Sequence, residues 1–272
     1  MLTVQIQGNA MPGVPGLFIE EQKAGWKKIA DAVHAKGGVI YMQIWHSGRA
    51  NLPHMTGSKI MCPSSTPWDD PEECFMYPPP HATEMVRYSD FPPSEMTLDN
   101  IKSTIQDYVR TATWAMECGY DGVEVHGGNG YLPEQFLASN VNKRTDHYGG
   151  SPEKRCNFVL ELMHQLSEAI GEDRLAIRLT PFGMFNHIRA EQRLETWQLL
   201  CRKLKESHPA LSYVSFVEPV SLLHFPLISS YHEGTNQSDR LQTAIRASVQ
   251  CGAKGAVPQI LGPGRSRFNL LP

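Results

Sequence analysis

The chain lacks a long hydrophobic run, a marked excess of one charge and any close pairing of cysteines. No apolar stretch approaches the roughly 20 residues of a membrane-spanning helix, and the run from Met1 to Val4 has neither the charged start nor the apolar core of a signal peptide. The 25 basic and 28 acidic side chains give a formal net charge of −3, which does not suit a nucleic-acid-binding surface. We therefore expect a soluble, cytoplasmic protein with neither a membrane nor a nucleic-acid partner.

The cysteines and histidines show no spacing typical of disulfides or metals. The six cysteines are dispersed and form no C-x-x-C pair. Several occupy apolar positions of helical patterns, where cysteine behaves as a small hydrophobic residue, so we expect free thiols. The eleven histidines include no H-x-x-x-H pair, and we expect no metal site.

Strand and helix patterns alternate along the first four fifths of the chain. The 272 residues, 41% of them hydrophobic, are enough for one sizeable core. Predicted strands lie at about 3–7, 39–45, 122–126, 175–179 and 211–217, and predicted helices at about 19–35, 98–118, 151–170 and 194–204. Such alternation predicts an α/β fold with a parallel sheet.

Two segments do not follow this alternation. Residues 51–93 are rich in proline, serine, aspartate and aromatic residues, which disfavours a regular helix or a central strand. Loops of this length are often functional, and we interpret this one as a cover over an active site. After Pro219 the pattern fades, so we assign residues 1–219 to the folded unit and residues 220–272 to a poorly defined tail.

The run from His126 to Tyr131, H-G-G-N-G-Y, carries the most chemistry. It follows the apolar strand at 122–125, and active sites of α/β barrels lie at this end of the strands. His126 and Asn129 can both donate a hydrogen bond to one oxygen, and Tyr131 carries a transferable proton with a pKa near 10. The alternative is structural, with Asn129 capping the next helix.

The continuation of this run resembles a known family. Residues 131–137, Y-L-P-E-Q-F-L, and residues 142–151, N-K-R-T-D-H-Y-G-G-S, are similar to the signature of the Old Yellow Enzyme family, flavin-dependent ene-reductases built on a (β/α)8 TIM barrel. The resemblance extends from about Thr3 to Pro219 and implies the second to sixth strands of that barrel. It thus implies an incomplete barrel of about five βα units, truncated at both ends, with the family's first and last strands missing.

The resemblance also implies an activity and catalytic residues. FMN would be the flavin and NADPH or NADH the electron donor. The substrate would be a small α,β-unsaturated molecule, such as an enone or a nitroalkene, whose oxygen His126 and Asn129 polarise. Tyr131 would protonate the α-carbon of that substrate.

Further site residues follow from the same resemblance. Gln43 begins the segment Q-I-W-H-S-G-R, in which the family's glutamine binds the flavin pyrimidine edge and its tryptophan, here Trp45, lines the substrate pocket. Arg178 matches the arginine beside flavin N1 and O2, and Phe185 resembles an aromatic residue that borders the substrate. The structural alternatives are a satisfied core glutamine for Gln43 and a salt bridge within the barrel for Arg178. We interpret Arg49 as a structural partner of the loop.

The flavin phosphate has no assigned site. In the family, a glycine pair and a later G-R dipeptide follow the seventh and eighth strands, whereas Gly264-Arg265 here stands in a Pro/Gly/Arg-rich run with no preceding strand. Two rival hypotheses therefore stay open beside the enzyme. One is a flavin-poor pseudoenzyme or binding protein, and the other is a non-functional fragment that does not fold stably.

Overall fold

A computed structural model describes residues 1–5, 8–11, 13–75, 78–80 and 83–217 of the chain. The strands are β1 (Leu2–Thr3), β2 (Tyr41–Trp45), β3 (Met61–Cys62), β4 (Ser94–Glu95), β5 (Gly122–Gly127), β6 (Leu175–Leu179) and β7 (Tyr213–Phe216). The α-helices are α1 (Glu20–His34), α2 (Pro53–Thr56), α3 (Leu98–Glu117), α4 (Leu132–Leu137), α5 (Pro152–Ile170) and α6 (Arg193–Ser207). The predicted α/β pattern is confirmed: five strands, β1, β2, β5, β6 and β7, alternate with helices along the chain.

Five of the strands form one parallel sheet in the order β1-β2-β5-β6-β7. Strands that follow each other across a connecting helix therefore lie side by side, as in a barrel built from βα units. The register pairs Gln43 with Glu124 and His126 with Arg178. Polar side chains from three neighbouring strands are thereby brought onto one face of the sheet.

The opposite face of the sheet carries the hydrophobic core. Because side chains alternate along a strand, Met42 and Ile44 of β2 and Val125 of β5 point towards the helices and are at most 3% exposed. The buried face of α3 packs on them with Ile101, Ile105, Tyr108, Ala112 and Ala115. The helical layer thus buries one face, and Gln43, Glu124, His126 and Arg178 occupy the other.

Local signals fix where the helices begin and end. Thr97 caps α3: its hydroxyl accepts from the Asn100 amide at 3.1 Å, and the Asn100 side chain accepts from the Thr97 amide at 3.0 Å. This reciprocal pair satisfies two otherwise orphaned N–H groups. Gly171, with φ +87°, ends α5 in a backbone conformation that favours glycine.

The first predicted strand is shorter than expected. Only Leu2 and Thr3 pair with β2, because the backbone turns at Gln5, whose carbonyl accepts from the Thr3 hydroxyl at 2.6 Å and from the Gly8 amide at 3.1 Å. The predicted strand over 3–7 is therefore wrong at Val4 and Gln5, and residues 6 and 7 lie outside the described residues. The tail at 220–272 lies outside the described residues, and the division at residue 219 stays a prediction.

The proline-rich segment is more ordered than a plain loop. It contains α2 and β3, and β3 pairs in parallel with β4. Its Trp68 and Tyr88 rings stack at a centroid distance of 4.0 Å, and Phe75 meets Tyr88 edge-on at 5.6 Å. With Trp45 and Tyr131 these rings form what we term the aromatic cluster: Trp45, Trp68, Phe75, Tyr88 and Tyr131. The segment thus packs over the carboxyl ends of β2 and β5.

Candidate active site

His126 lies on β5 near its carboxyl end and is 3% exposed. Its Nδ1 atom is buried with no hydrogen-bond partner among the residues that the structure describes. Burial, with a smaller contribution from the charge of Arg178, lowers the pKa of His126 to about 4. The ring is therefore neutral near pH 7, with one nitrogen that donates a hydrogen bond and one that accepts.

Asn129 lies in a tight loop after β5, in the left-handed region with φ +53°. Its backbone is held from both sides: its N–H donates to Thr180 Oγ1 at 2.8 Å, and its carbonyl accepts from Asn186 Nδ2 at 2.9 Å. The residue that precedes α4 is Tyr131, and that helix has no side-chain cap. The helix-capping alternative for Asn129 therefore does not fit the geometry.

Tyr131 brings its phenol ring to His126 and Trp45. The ring centroids are 5.4 Å apart for Tyr131 and His126 and 4.5 Å apart for Tyr131 and Trp45, the latter pair packed edge-on. Trp45 is fully buried, so it supports the Tyr131 ring from within the aromatic cluster. The structure thus brings together three predicted site residues, His126, Tyr131 and Trp45, with Asn129 in the same loop.

Gln43 and Arg178 lie on the polar face of the sheet, on either side of β5. Gln43 Nε2 donates to Glu124 Oε1 at 2.5 Å, so the glutamine is partly satisfied within the protein. Arg178 is half-buried and forms neither a hydrogen bond nor an ion pair with any of the described residues. The salt-bridge alternative for Arg178 therefore finds no partner in that part of the chain.

Phe185 lies further out than the other predicted site residues. Its side chain is 48% exposed and borders a cavity of about 270 Å³ lined by Glu73, Cys74, Tyr88, Met184, Phe185, Asn186, His187 and Arg189. Tyr88 and Asn186 also line a small gap beside Tyr131. The outer cavity and the inner gap therefore share two lining residues, Tyr88 and Asn186. Phe185, which borders the outer cavity, thus lies at the approach to the site.

Three residues important for this geometry were not identified as such from the sequence. Glu134 and Thr180 hold the Asn129 loop, with the Thr180 hydroxyl 2.9 Å from both carboxyl oxygens of Glu134, and Asn186 bonds the same loop. Their sequence signals are weak, because each acts through a tertiary contact. Arg49 was predicted as a structural partner, and its guanidinium does bond the Pro67 carbonyl at 3.1 Å and the Asn186 carbonyl at 3.3 Å.

The described part of the chain contains neither a candidate metal-binding group nor a helix suited to span a membrane. Residues 1–217, apart from the gaps in their description, contain no group of three or more His, Cys, Asp or Glu side chains that could hold a metal ion. The five cysteines among them are free, and Cys251 lies outside them. No helix in that part is both long and apolar enough to cross a membrane.

Comparisons with known proteins agree on one family. The sequence profile of the NADH:flavin oxidoreductase / NADH oxidase family matches residues 1–250. Flavin oxidoreductase hxnT of Emericella nidulans is 40% identical over 243 residues, 88% of this chain and 58% of that protein. 12-oxophytodienoate reductase 7 of Oryza sativa subsp. japonica is 32% identical over 89% of this chain and 61% of that protein.

Solved structures give the same result. Morphinone reductase superposes with a TM-score of 0.78 at 31% identity, over 92% of this chain and 63% of that one. The Old Yellow Enzyme homologue of Zymomonas mobilis superposes with a TM-score of 0.72 at 26% identity, over 79% of this chain and 57% of that one. The chain thus spans about three fifths of the length of the proteins that it matches.

Proposed function

The chain belongs to the Old Yellow Enzyme family of FMN oxidoreductases and forms an incomplete version of their TIM barrel, and we propose that it reduces activated C=C bonds with NADPH or NADH. The observation that carries the proposal is the run at the end of β5. A buried, neutral His126, the clamped Asn129 and the Tyr131 ring lie together where a barrel enzyme holds its substrate.

His126 and Asn129 are suited to hold an acceptor oxygen. Burial keeps His126 neutral, so it donates one hydrogen bond without placing a full charge in the site, and the Asn129 amide group donates a second. Two fixed donors stabilise the negative charge that develops on a carbonyl or nitro oxygen during reduction of the neighbouring double bond. The proposed acceptors are therefore enones and nitroalkenes.

Tyr131 is suited to complete the reaction. Its ring is held between His126 and Trp45, and a phenol of high pKa is a good acid for a carbanion-like α-carbon. Tyr131 would donate its hydroxyl proton to that carbon and recover a proton from solvent.

The polar face of the sheet fits a flavin ring. Arg178 is a cation with no hydrogen-bonding or ionic partner among the described residues, which suits an electron-rich ring edge. The Gln43 amide donates one N–H to Glu124 and can offer its carbonyl oxygen to the ring. Bound FMN would supply the hydride, and NADPH or NADH its electrons. The flavin phosphate has no assigned site, and the stretch from Gly252 to Arg267 lies outside the described residues.

The proposal is tested by a two-step flavin assay. The purified chain is loaded with excess FMN, reduced anaerobically with NADPH or NADH, and mixed with 2-cyclohexenone or, separately, with its saturated ketone. We expect the flavin absorbance to return only with the enone, and one equivalent of saturated ketone to form. If reduced, protein-bound flavin is not reoxidised by the enone, the pseudoenzyme hypothesis is favoured. If no FMN binds and the chain is unfolded by circular dichroism, the fragment hypothesis is favoured.

A further inference from the structure

Glu134 is a buried carboxyl group directly beneath the candidate site. It lies in the first turn of α4 and is 1% exposed. Its Oε2 accepts from the Gly130 amide at 2.6 Å, and the Thr180 hydroxyl lies 2.9 Å from each of its oxygens. Thr180 in turn accepts from the Asn129 amide at 2.8 Å. The carboxyl group is thus linked to the backbone of both Asn129 and Gly130.

These bonds hold a backbone that would otherwise be unfavourable. Asn129 and Gly130 are consecutive left-handed residues, with φ +53° and φ +69°, a conformation that costs about 1 kcal/mol or more for a residue with a side chain. Gln135 Nε2 adds a bond to the Gly130 carbonyl at 2.7 Å. The position of the Asn129 side chain therefore depends on a network centred on Glu134 and Thr180.

The ionised form of Glu134 satisfies every donor of this network. The carboxylate accepts the Gly130 N–H on one oxygen and the Thr180 O–H on the other, and every donor has an acceptor. In the neutral acid, one carboxyl oxygen carries a proton and can itself donate to the Thr180 oxygen, so the Thr180 O–H must turn away from that oxygen. Protonation thus redistributes the bonds of the hydroxyl that also contacts the Asn129 amide.

We propose that Glu134 is a positioning residue whose carboxylate, through the Gly130 amide and the Thr180 hydroxyl, holds Asn129 and Tyr131 in place for the acceptor. The proposal rests on the proposed function for its catalytic consequence, but the network itself is independent of flavin. Burial raises the pKa of Glu134 to about 7, against the bonds from Gly130 and Thr180 and the charge of Arg193, which lower it. The carboxylate therefore forms as the pH rises through neutrality.

Two arginines and two histidines are other titratable groups around α4. Arg193, at the start of α6, donates to the Gly183 and Ile188 carbonyls, and Arg155 of α5 donates to the Leu137 carbonyl. On the β2 and β5 side, burial lowers the pKa of His46 to about 3 and, together with the charge of Arg178, that of His126 to about 4. Burial thus moves the pKa of Glu134 up towards neutrality and the pKa values of these two histidines away from it.

The test is a titration of backbone amides by nuclear magnetic resonance on the full-length, isotope-labelled chain without flavin. Between about pH 5.5 and about pH 8.5, the Gly130 and Asn129 amides should shift together with a midpoint near 7. Glu134→Gln should abolish both shifts, and Glu206→Gln, a change at an exposed position of α6, should leave them unchanged. Flat Gly130 and Asn129 amides in the parent protein would overturn the proposal, even if every Glu134 variant failed to fold.

Thr180 variants separate the two links. In Thr180→Val, the Gly130 amide should still titrate, since it bonds Glu134 directly, whereas the Asn129 amide should stop responding. Thr180→Ser keeps the hydroxyl and should retain both responses. If the Asn129 amide titrates equally in Thr180→Val, the hydroxyl is not the link and the proposal fails in that part.

Kinetics of the FMN-loaded protein supply the catalytic readout. Because a misplacement of about 1 Å can cost about 100-fold in rate, Glu134→Gln should lower kcat for enones by roughly 10-fold or more and remove an inflection near pH 7 from its pH profile. If the parent protein reduces no enone, the proposed function fails while the amide titration still decides the role of Glu134. If enones are reduced but the amides do not titrate, only the role of Glu134 fails.

Discussion

His126 of β5 and Arg178 of β6 are directly opposite each other in the register of the parallel sheet. Neither His126 Nδ1 nor the Arg178 guanidinium has a hydrogen-bond partner in the part of the chain that the structure describes. The positive charge of Arg178 helps to keep His126 neutral. One member of this facing pair is a neutral hydrogen-bond donor, which suits an acceptor oxygen. The other is a cation without a hydrogen-bond partner among the described residues, which suits a flavin edge.

Replacing Tyr131 with Phe tests the proton donor. The ring and its contacts with Trp45 and His126 are kept, so substrate binding and flavin reduction by NADPH should change little. Turnover of enones should fall by roughly 10²- to 10⁴-fold, the usual contribution of a general acid. Stopped-flow measurement of the two half-reactions separates these effects. An unchanged rate of enone reduction would show that Tyr131 is not the acid.

The double change His126→Ala with Asn129→Ala tests the acceptor clamp. Both donors should point at the oxygen of a bound phenolate, so para-substituted phenols should bind the FMN-loaded variant on the order of 100-fold more weakly, for two charge-assisted hydrogen bonds. The readout is the absorbance change on titrating the phenol. His164→Ala, at an exposed position of α5, is the control. Equal affinity in the double variant and the parent would contradict the assigned roles.

FMN should bind the 272-residue chain weakly. Gln43 and Arg178 contact only the ring in our proposal, whereas the phosphate normally takes several charge-assisted bonds of roughly 1.5 to 3 kcal/mol each. Fluorescence titration should give a Kd above about 1 μM. A longer version carrying the family's first strand and last two strands should bind more tightly. Submicromolar binding by the chain itself would mean that residues beyond 217, such as Gly262 to Arg267, supply a phosphate site.

Against the opposite contribution of Glu134, whose pKa is raised, His126 should make the fold less stable as the pH drops from about 6.5 towards 4. Its pKa is lowered from 6.5 to about 4 in the fold, so the unfolded chain takes up the proton first. The resulting stabilisation is fully present above the unfolded pKa and is lost as the pH falls through the folded one. It amounts to at most about 3 kcal/mol. Urea unfolding across this range should show a weaker pH dependence in His126→Gln and an unchanged one in His164→Gln. Parallel curves for His126→Gln and the parent would contradict the burial effect.

Two glycines offer a matched test of the loop after β5. Gly130 and Gly150 both have positive φ, at +69° and +97°, so alanine costs about 1 to 2 kcal/mol at either position. At Gly130, however, a Cβ atom would lie 2.5 Å from the Phe185 carbonyl oxygen, whereas nothing lies within 4 Å at Gly150. Gly130→Ala should therefore be the more destabilising change, by a further ~1 to 3 kcal/mol in the free energy of unfolding. Equal losses in the free energy of unfolding would show that the loop shifts freely.

Much of the fold could be predicted from the sequence because its signals are local. Apolar periodicity predicted α3 within about one residue at each end, and the alternation of strands and helices predicted the parallel sheet. The end of β1 could not be predicted, because the bonds to the Gln5 carbonyl that turn the backbone do not appear in the pattern of residue types.

The candidate site was predictable to a similar degree. His126 could be placed at the end of β5 by its position after an apolar run. Glu134 could not be recognised, since a glutamate in the first turn of a helix usually faces solvent and favours the helix dipole. Its burial depends on Thr180, 46 residues later in the chain, and such contacts are visible only once the sheet is assembled.

The proposed chemistry draws on three adjacent central strands and on the loop after β5, which carries Asn129 and Tyr131. Gln43 and Trp45 come from β2, His126 from β5 and Arg178 from β6, while β1 and β7 flank them at the margins of the described sheet. The side chains proposed to hold the flavin ring and the acceptor thus come from one stretch of the chain, from residue 43 to residue 178. Substitutions in the marginal strands β1 and β7 should therefore alter the choice of acceptor less than substitutions within this stretch.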